Sequence, residues 1–128
     1  MGRKKVLIID AEKDFCTLAK MHLCAISGFD VHTALTGIDG LNLAKKIHPD
    51  IIVLDLIMPG IDGFEVLEEL KKDCGTLEIP VIMLTAREDP KLKKRALELY
   101  NESYLVKPID AKQLKEKIEE IFRIRRII

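Results

Sequence analysis

The sequence predicts an α/β fold in which a doubly wound, five-stranded parallel sheet lies between two layers of helices. Five short apolar runs alternate with five amphipathic stretches along 128 residues, and such alternation is typical of parallel sheets with right-handed crossovers. The third run, residues 51–54, is continuous and rich in β-branched residues, as expected for a strand that is buried on both faces. A barrel needs eight such units, so we expect a three-layer sandwich.

The five predicted strands are short, and turn residues mark their boundaries. Pro49-Asp50 and Pro59-Gly60 flank the third strand, and Pro80 precedes the fourth, which fits the exclusion of proline from central strands. The second run is the weakest of the five. The predicted strands are residues 6–9, 31–34, 51–54, 81–84 and 103–106.

Apolar residues at helical spacing predict the helices between these strands. The predicted stripes are Phe15, Leu18, Ala19, Leu23 and Ile26 in the first helix, Leu41, Ala44 and Ile47 in the second, Phe64, Val66, Leu67 and Leu70 in the third, and Leu114, Ile118, Ile121 and Phe122 in the fifth. Gly28 ends the first helix, and the second stops before Pro49. Helix starts are predicted at Asp62 with Glu65, at Asp89-Pro90, and at Asp110 with Gln113.

The overall composition indicates a globular protein and removes several classes of function. Lys+Arg and Asp+Glu both number 21, so the zero net charge gives no general attraction to nucleic acid or to an anionic membrane. Three cysteines without a CxxC pair and three scattered histidines form neither a disulfide framework nor a zinc motif. The apolar run near the N-terminus stops at Asp10, too short for a signal peptide. We therefore expect a cytoplasmic protein with no direct nucleic-acid partner and no membrane contact.

Polar residues stand at the ends of four predicted strands: Asp10, Asp55, Thr85 and Lys107. Ligands and chemistry collect beyond the carboxyl ends of strands in such sheets. Each residue also has a purely structural interpretation. Asp55 could make only turn hydrogen bonds, and Asp10 could cap a helix. Thr85 could be an ordinary strand residue, and Lys107 could be a loop lysine. Four such residues at four strand ends favour a shared pocket, provided that these strands are neighbours.

The residue types in this pocket indicate a site that accepts a phosphoryl group. Two close carboxylates repel each other, and a hard cation such as Mg²⁺ relieves this through oxygen ligands. Lys107 is a point charge suited to a phosphoryl oxygen, and Thr85 offers a hydroxyl donor. Competing signatures such as GxGxxG, GxxxxGK[ST] and GxSxG are missing from the sequence.

Four segments of the chain resemble the receiver domain of two-component response regulators. The segment from Asp55 to Gly63 is highly specific for that family. The resemblance covers about residues 4–122 of a predicted single domain, residues 1–128, and implies a flavodoxin-like sheet with strand order 2-1-3-4-5. The matching segments are residues 6–10, 49–63, 80–86 and 104–108.

The resemblance implies a role for each pocket residue. Asp55 would be the phosphoacceptor, taking its phosphoryl group from the phosphohistidine of a sensor histidine kinase or a phosphotransfer protein. Lys107 would contact a phosphoryl oxygen, and Thr85 would move to hydrogen-bond the aspartyl phosphate. Tyr104 would be the aromatic switch that turns inward with Thr85. The family often has a cis peptide at the position of Lys107-Pro108.

The metal site that the resemblance implies carries one departure. Mg²⁺ would be held by Asp10, Asp55 and the main-chain carbonyl of Ile57. The family usually has two acidic residues in tandem after the first strand, and Ala11 stands at the second position. Three alternatives follow: Glu12 is a further ligand, Asp10 binds the metal through water, or the Mg²⁺ affinity drops. We expect weaker Mg²⁺ binding than in a receiver domain with both acids. Outside the metal site there is a second departure from the family, between the fourth helix and the fifth strand. The family often has Gly-Ala there, and this sequence has Tyr100-Asn101.

These observations predict a phosphorylation-controlled signalling switch rather than a turnover enzyme. A homodimer through the surface of the fourth helix, fifth strand and fifth helix is a further expectation. The alternative is a pseudo-receiver, a protein-interaction module that works without phosphorylation, and Ala11 favours it. A flavin-binding enzyme on the same fold is a third hypothesis, with only the fold behind it.

Overall fold

The computed structural model describes residues 2–86, 90–98 and 103–125, and the side chains at 92, 93, 96 and 97 lie outside that description. Within these residues, five strands alternate with five helices. They are β1 (Lys5–Ile9), α1 (Lys13–Ser27), β2 (Asp30–Ala34), α2 (Gly37–Ile47), β3 (Ile51–Asp55), α3 (Gly63–Lys72), β4 (Val81–Thr85), α4 (Pro90–Glu98), β5 (Ser103–Val106) and α5 (Ala111–Arg125). None of the helices in the described ranges has both the length and the apolar character that a bilayer crossing requires.

The sheet is parallel throughout, with strand order β2-β1-β3-β4-β5. The order reverses between β1 and β3, which is the point where doubly wound sheets open a crevice for ligands. The predicted fold class and strand order are confirmed. The carboxyl ends of β1, β3, β4 and β5 therefore lie side by side, and this neighbourhood brings the four polar strand-end residues together.

Two apolar cores sandwich the sheet, because successive strand residues point to opposite faces. Val53 and Ile82 belong to the core under α1 and α5, whereas Leu54 and Met83 belong to the core under α2 and α3. Every residue of β3 is buried, as its sequence predicted. The guanidinium carbon of Arg95 lies 4.0 Å from the ring centre of Phe64, which places α4 beside α3 on the second face.

The helix-start signals at Asp62 and Asp110 are confirmed as reciprocal caps. The Asp62 carboxylate accepts a hydrogen bond from the Glu65 N–H at 2.9 Å, and the Glu65 carboxylate accepts one from the Asp62 N–H. Asp110 and Gln113 make the same exchange at 2.8 and 3.0 Å. Gly28 ends α1 in the left-handed region, with φ 74°. The signals at Asp89 and at Tyr100-Asn101 lie outside the described residues.

The predicted apolar stripe of the first helix is wrong at two positions. Leu18 is 53% exposed and Ile26 is 48% exposed, while Cys16 is buried. Successive residues of an α-helix are rotated by about 100° around its axis. When Ala19 faces the core, its neighbour Leu18 therefore faces another side of the helix. Ile26 lies in the last turn before Gly28. The inner face of α1 therefore consists of Cys16, Ala19 and Leu23.

Candidate functional site

The four strand-end residues line one pocket at the carboxyl edge of the sheet. Asp55 and Thr85 are the last residues of β3 and β4, and Asp10 and Lys107 directly follow β1 and β5. The hydrogen-bond ladder continues past the strands, since the Lys107 N–H donates to the Thr85 carbonyl at 2.7 Å. The Leu56 N–H likewise donates to the Leu84 carbonyl at 2.9 Å. These bonds fix the backbone that carries the polar side chains.

The Lys107 ammonium is held by three groups from the start of α1 and the turn before it. Its Nζ lies 2.7 Å from Asp10 Oδ2 and 3.1 Å from Glu12 Oε1, and 4.3 Å from the ring centre of Phe15. Burial lowers the pKa of Lys107, but its contacts with Asp10 and Glu12 and the charges of Asp10 and Asp55 outweigh this effect, so the pKa lies above its ordinary value. The side chain is therefore positively charged at neutral pH, and it is only 10% exposed.

The two carboxylate oxygens of the buried Asp10 have different partners. Oδ1 accepts the Glu12 N–H at 2.8 Å. Oδ2 forms an ion pair with Lys107 at 2.7 Å but has no hydrogen-bond partner among the described residues. The Asp10 main-chain carbonyl accepts a hydrogen bond from the Cys16 thiol at 3.4 Å. Burial, followed by the Asp10 charge, raises the pKa of Cys16 to about 11, so the thiol stays neutral and acts as a donor that anchors the Asp10 backbone to α1.

Asp55 is 7% exposed, and its carboxylate is less well compensated than that of Asp10. Its Oδ1 accepts the Ile57 N–H at 3.2 Å. Among the described residues, Lys107 makes its ion pairs with Asp10 and Glu12 rather than with Asp55. Burial, followed by the charge of Asp10, raises the pKa of Asp55 to about 6, and the Ile57 N–H and Lys107 only partly offset this. At neutral pH the carboxylate is thus ionised in a site that disfavours its charge.

The loop between β3 and α3 is packed closely against the Asp55 backbone. The Gly63 N–H donates to the Leu56 carbonyl at 2.9 Å. A Cβ on Gly63 would lie 2.2 Å from the Asp55 carbonyl oxygen and 2.7 Å from Leu56 Cα. Because both neighbours are backbone atoms, only glycine fits. Gly60 turns the same loop with φ 81°. The two glycines hold the start of α3 beside the strand end that carries Asp55.

The two predicted switch residues lie on adjacent strands. Thr85 is fully buried at the end of β4. Tyr104 is half-buried on β5, opposite Met83 in register, and packs against the core under α2 and α3. The Lys107–Pro108 peptide is cis, as the resemblance implied. The side chain of Ile57 is half exposed.

The donor set of the pocket fits a hard divalent cation with few protein ligands. Asp10 and Asp55 are two buried carboxylates whose charges oppose each other, and Mg²⁺ in proteins is commonly bound by one or two carboxylates together with water. The described residues contain no group of three acidic, His or Cys side chains with metal-binding spacing. Glu12, a candidate ligand, contacts Lys107.

Comparison with protein families identifies the family of this chain. A model of the family described as "Response regulator receiver domain" matches residues 6–119. The chain belongs to this family. It is a receiver domain of the response regulators of two-component signalling, for which the acidic pocket is in general a Mg²⁺ site.

Curated relatives of this receiver domain are transcriptional regulators. The "Probable transcriptional regulator ycf27" of Porphyridium aerugineum is 38% identical over 96% of this chain and 50% of its own length. The regulatory protein PhoP for alkaline phosphatase synthesis from Bacillus subtilis is 37% identical, over 94% and 49%. The DNA-binding regulator RpaA of Synechocystis is 36% identical, over 93% and 49%.

The receiver domain thus spans about half the length of the curated relatives it matches. One of these relatives is named as DNA-binding, so the expectation that this protein has no nucleic-acid partner finds no support in the comparison. The names describe proteins of about twice the length. They do not assign DNA binding to the half that this chain matches.

Solved structures agree with the fold of this receiver domain. The chemotaxis protein CheY4 of Vibrio cholerae superposes with a TM-score of 0.85 at 27% identity, covering 93% of this chain and 98% of that one. The receiver domain of the Francisella response regulator 1452 gives a TM-score of 0.85 at 28% identity, covering 96% and 99%.

Sequence reasoning predicted the members of the pocket but not all of their partners. The strand order brings Asp10, Asp55, Thr85 and Lys107 together at one edge of the sheet. The ring of Phe15 beneath Lys107 was missed. A signal for it exists in the sequence, because residues three apart share a helix face and Phe15 stands three residues after Glu12.

Proposed function

We propose that this receiver domain is a phosphorylation-controlled switch that accepts a phosphoryl group on Asp55 from the phosphohistidine of a sensor histidine kinase or a phosphotransfer protein. The observation that carries the proposal is that a nearly buried carboxylate, Asp55, lies at the same sheet edge as the Lys107 ammonium and the buried Thr85 hydroxyl. An Asp55 oxygen forms the new bond to phosphorus as the bond between phosphorus and the imidazole nitrogen breaks. The imidazole leaves with the bonding electron pair.

The surrounding residues supply the charge and hydrogen bonds that this transfer requires. With a pKa of about 6, Asp55 is ionised at neutral pH and able to act as the nucleophile. Lys107 places its ammonium where a phosphoryl oxygen gains a charge-assisted contact, and Thr85 provides a hydroxyl donor. Mg²⁺ held by Asp10, Asp55 and the Ile57 carbonyl would neutralise charge on the transferred group.

The switch that follows phosphorylation would involve Thr85 and Tyr104. A phosphoryl group is a strong acceptor, so the Thr85 hydroxyl shifts towards it and the half-buried ring of Tyr104 turns further inward. Two packings of the surface formed by α4, β5 and α5 would then be in equilibrium. A partner, including a second copy of this chain, would bind one packing better.

Intact mass after incubation with acetyl phosphate and Mg²⁺ tests the acceptor assignment. Wild type should gain the mass of one phosphoryl group, and Asp55→Asn should gain none. Asp14→Asn is the matched control, because Asp14 is an exposed aspartate at the start of α1 and should be phosphorylated as wild type is. Phosphorylation of Asp55→Asn at the wild-type level would refute the assignment, and uptake of a single phosphoryl group without turnover would support a switch over an enzyme.

The alternative is a pseudo-receiver that binds its partner without phosphorylation. Ala11 favours it, since one acidic residue typical of the family is replaced. Amide exchange with and without beryllofluoride separates the two. The switch requires that amide exchange between Thr85 and Lys107 changes when beryllofluoride binds. If beryllofluoride binds and the exchange in this region stays the same, the pseudo-receiver is favoured.

Three broader expectations belong to the same proposal. Residues 4–122 would form the receiver unit within residues 1–128, and the protein would act in the cytoplasm, where sensor kinases present their phosphohistidine. We expect residues 1–128 themselves to bind no specific DNA sequence, because their zero formal net charge gives no general attraction to nucleic acid. Gel-shift assays with the present chain should therefore show no sequence-specific DNA binding.

A further inference from the structure

We propose that Glu12 is a positioning residue that receives the Lys107 ammonium when a divalent cation takes its place on Asp10. This inference rests on the proposed function to the extent that the pocket binds Mg²⁺. The observation behind it is that a single ammonium lies between two carboxylates, 2.7 Å from Asp10 and 3.1 Å from Glu12.

The Lys107 ammonium lies beside the Asp10 oxygen that is open to a cation, because Oδ2 has no hydrogen-bond partner within the described part of the chain and is 2.7 Å from Lys107 Nζ. One oxygen accepts the Glu12 N–H and the other pairs with Lys107. The Glu12 N–H belongs to the backbone turn before α1, whereas Lys107 contributes a side chain that can rotate. A divalent cation on Oδ2 would repel an ammonium this close to it, so we expect Lys107 to be displaced from Oδ2.

The displaced ammonium needs another partner, because it is only 10% exposed and an unpaired buried charge is costly. Glu12 Oε1 is already within hydrogen-bond distance, and the Phe15 ring supports the ammonium from the same helix start. Glu12 is 62% exposed, so its side chain has room to follow. Lys107 can thus exchange Asp10 for Glu12 without leaving the pocket.

Glu12 would in this way compensate in part for the acid that is missing at Ala11. In this account Glu12 assists the cation through Lys107 and not as a ligand. The two roles give different results when Lys107 is removed, and a double-mutant cycle isolates such a dependence.

The test is Mg²⁺ affinity, measured by isothermal titration calorimetry on wild type, Glu12→Gln, Lys107→Met and the double variant. Glu12→Gln should weaken Mg²⁺ binding about 3-fold, as expected for one partly exposed ion pair. In the Lys107→Met background the same change should have less than about half of that effect. Asp14→Asn, which removes a charge from the same helix start, should leave the affinity within about 1.5-fold of wild type.

An equal loss in both backgrounds would overturn the proposal, because it would mean that Glu12 touches the metal or acts through space. No loss in either background would overturn it as well. Neither result would bear on phosphorylation of Asp55, which the mass measurement tests separately.

Lys107→Met leaves Asp10 without its cation and could fail to fold, so a second measurement uses only Glu12→Gln and wild type. Nitrogen-15 NMR reports how fast the Lys107 ammonium exchanges protons with water. At saturating Mg²⁺ the exchange should stay slow in wild type and rise about 10-fold or more in Glu12→Gln, because the ammonium has lost its remaining carboxylate partner. Equal exchange rates in the two proteins would overturn the proposal.

Discussion

Replacing Asp55 with asparagine should stabilise the protein at neutral pH in the absence of divalent cations. The carboxylate is nearly buried beside Asp10, and Lys107 is engaged elsewhere. Asparagine has nearly the same shape, and its side-chain oxygen can still accept the Ile57 N–H that Asp55 accepts at 3.2 Å. The substitution therefore removes an unfavourable charge while keeping the packing and the hydrogen bond.

The magnitude follows from the pKa of Asp55. A value of about 6 in place of 3.8 corresponds to roughly 3 kcal/mol at 1.36 kcal/mol per pH unit. The group binds its proton more tightly in the folded state than in the unfolded state. The stabilisation that Asp55 gives the folded state by binding this proton is complete below pH 3.8 and is lost as the pH rises towards 6. Above pH 6 the folded state carries the full cost of the ionised carboxylate.

The assay is urea unfolding with EDTA present, at pH 7.5 and at pH 4.5. Asp55→Asn should raise the free energy of unfolding by about 2–3 kcal/mol at pH 7.5, and by only about 1 kcal/mol at pH 4.5, where native Asp55 is already protonated. Mg²⁺ should narrow the gap at pH 7.5, because a cation that binds the folded wild type stabilises it.

Glu68→Gln serves as the matched control for this experiment. Glu68 is an exposed carboxylate on α3, so converting it to an amide should change the free energy of unfolding by less than about 0.5 kcal/mol. If Asp55→Asn gains no more than this control at pH 7.5, Lys107 already neutralises Asp55. The account of a poorly compensated carboxylate would then be wrong.

Three further substitutions test the framework around the site, each by urea unfolding. Gly63→Ala should cost at least about 3 kcal/mol, since its Cβ would lie 2.2 Å from the Asp55 carbonyl oxygen and backbone must move to relieve the clash. Asp62→Ala should cost about 1 kcal/mol, because α3 loses its reciprocal cap. Thr76→Val should cost about 1–2 kcal/mol, because the buried Thr76 hydroxyl donates to the Leu70 carbonyl at 2.7 Å and that carbonyl would be left without it.

Exposed positions of the same residue type provide the controls for these substitutions. A Cβ on Gly2 would meet no atom within 4 Å, and Thr17 is an exposed residue of α1. Gly2→Ala and Thr17→Val should each change the free energy of unfolding by less than about 0.5 kcal/mol. A Gly63→Ala protein as stable as Gly2→Ala would contradict the packing of the loop against Asp55.

The fold could be predicted from the sequence because its signals are local and agree with one another. Continuous apolar runs such as residues 51–54 show strands buried on both faces, and the caps at Asp62 and Asp110 depend on residues three apart. The stripe of α1 failed at Leu18 because spacing alone does not show which of several apolar residues faces the sheet. The buried residue in this part of α1 is Cys16, and free cysteine is among the most commonly buried residue types.

The site could be predicted at the level of its members, since each is the end of a strand and parallel strands end at one edge. The pairing of Lys107 could not be predicted. Its ammonium contacts Asp10 and Glu12, about 95 residues away in sequence, and any of three carboxylates in the pocket was a possible partner. Which one it pairs with depends on side-chain distances and on burial, and no sequence pattern encodes either.

The electrostatics of the pocket make the stability of the fold depend on the charge at Asp55. Two buried carboxylates share one well-placed ammonium, and that ammonium is paired with Asp10, so Asp55 stays ionised at a cost of up to about 3 kcal/mol above pH 6. Any event that changes the charge at Asp55, or adds a cation beside it, therefore changes the free energy of unfolding. A change of about 3 kcal/mol corresponds to about two orders of magnitude in the ratio of folded to unfolded protein. A fully compensated pocket would be more stable at neutral pH but would respond less to a bound cation.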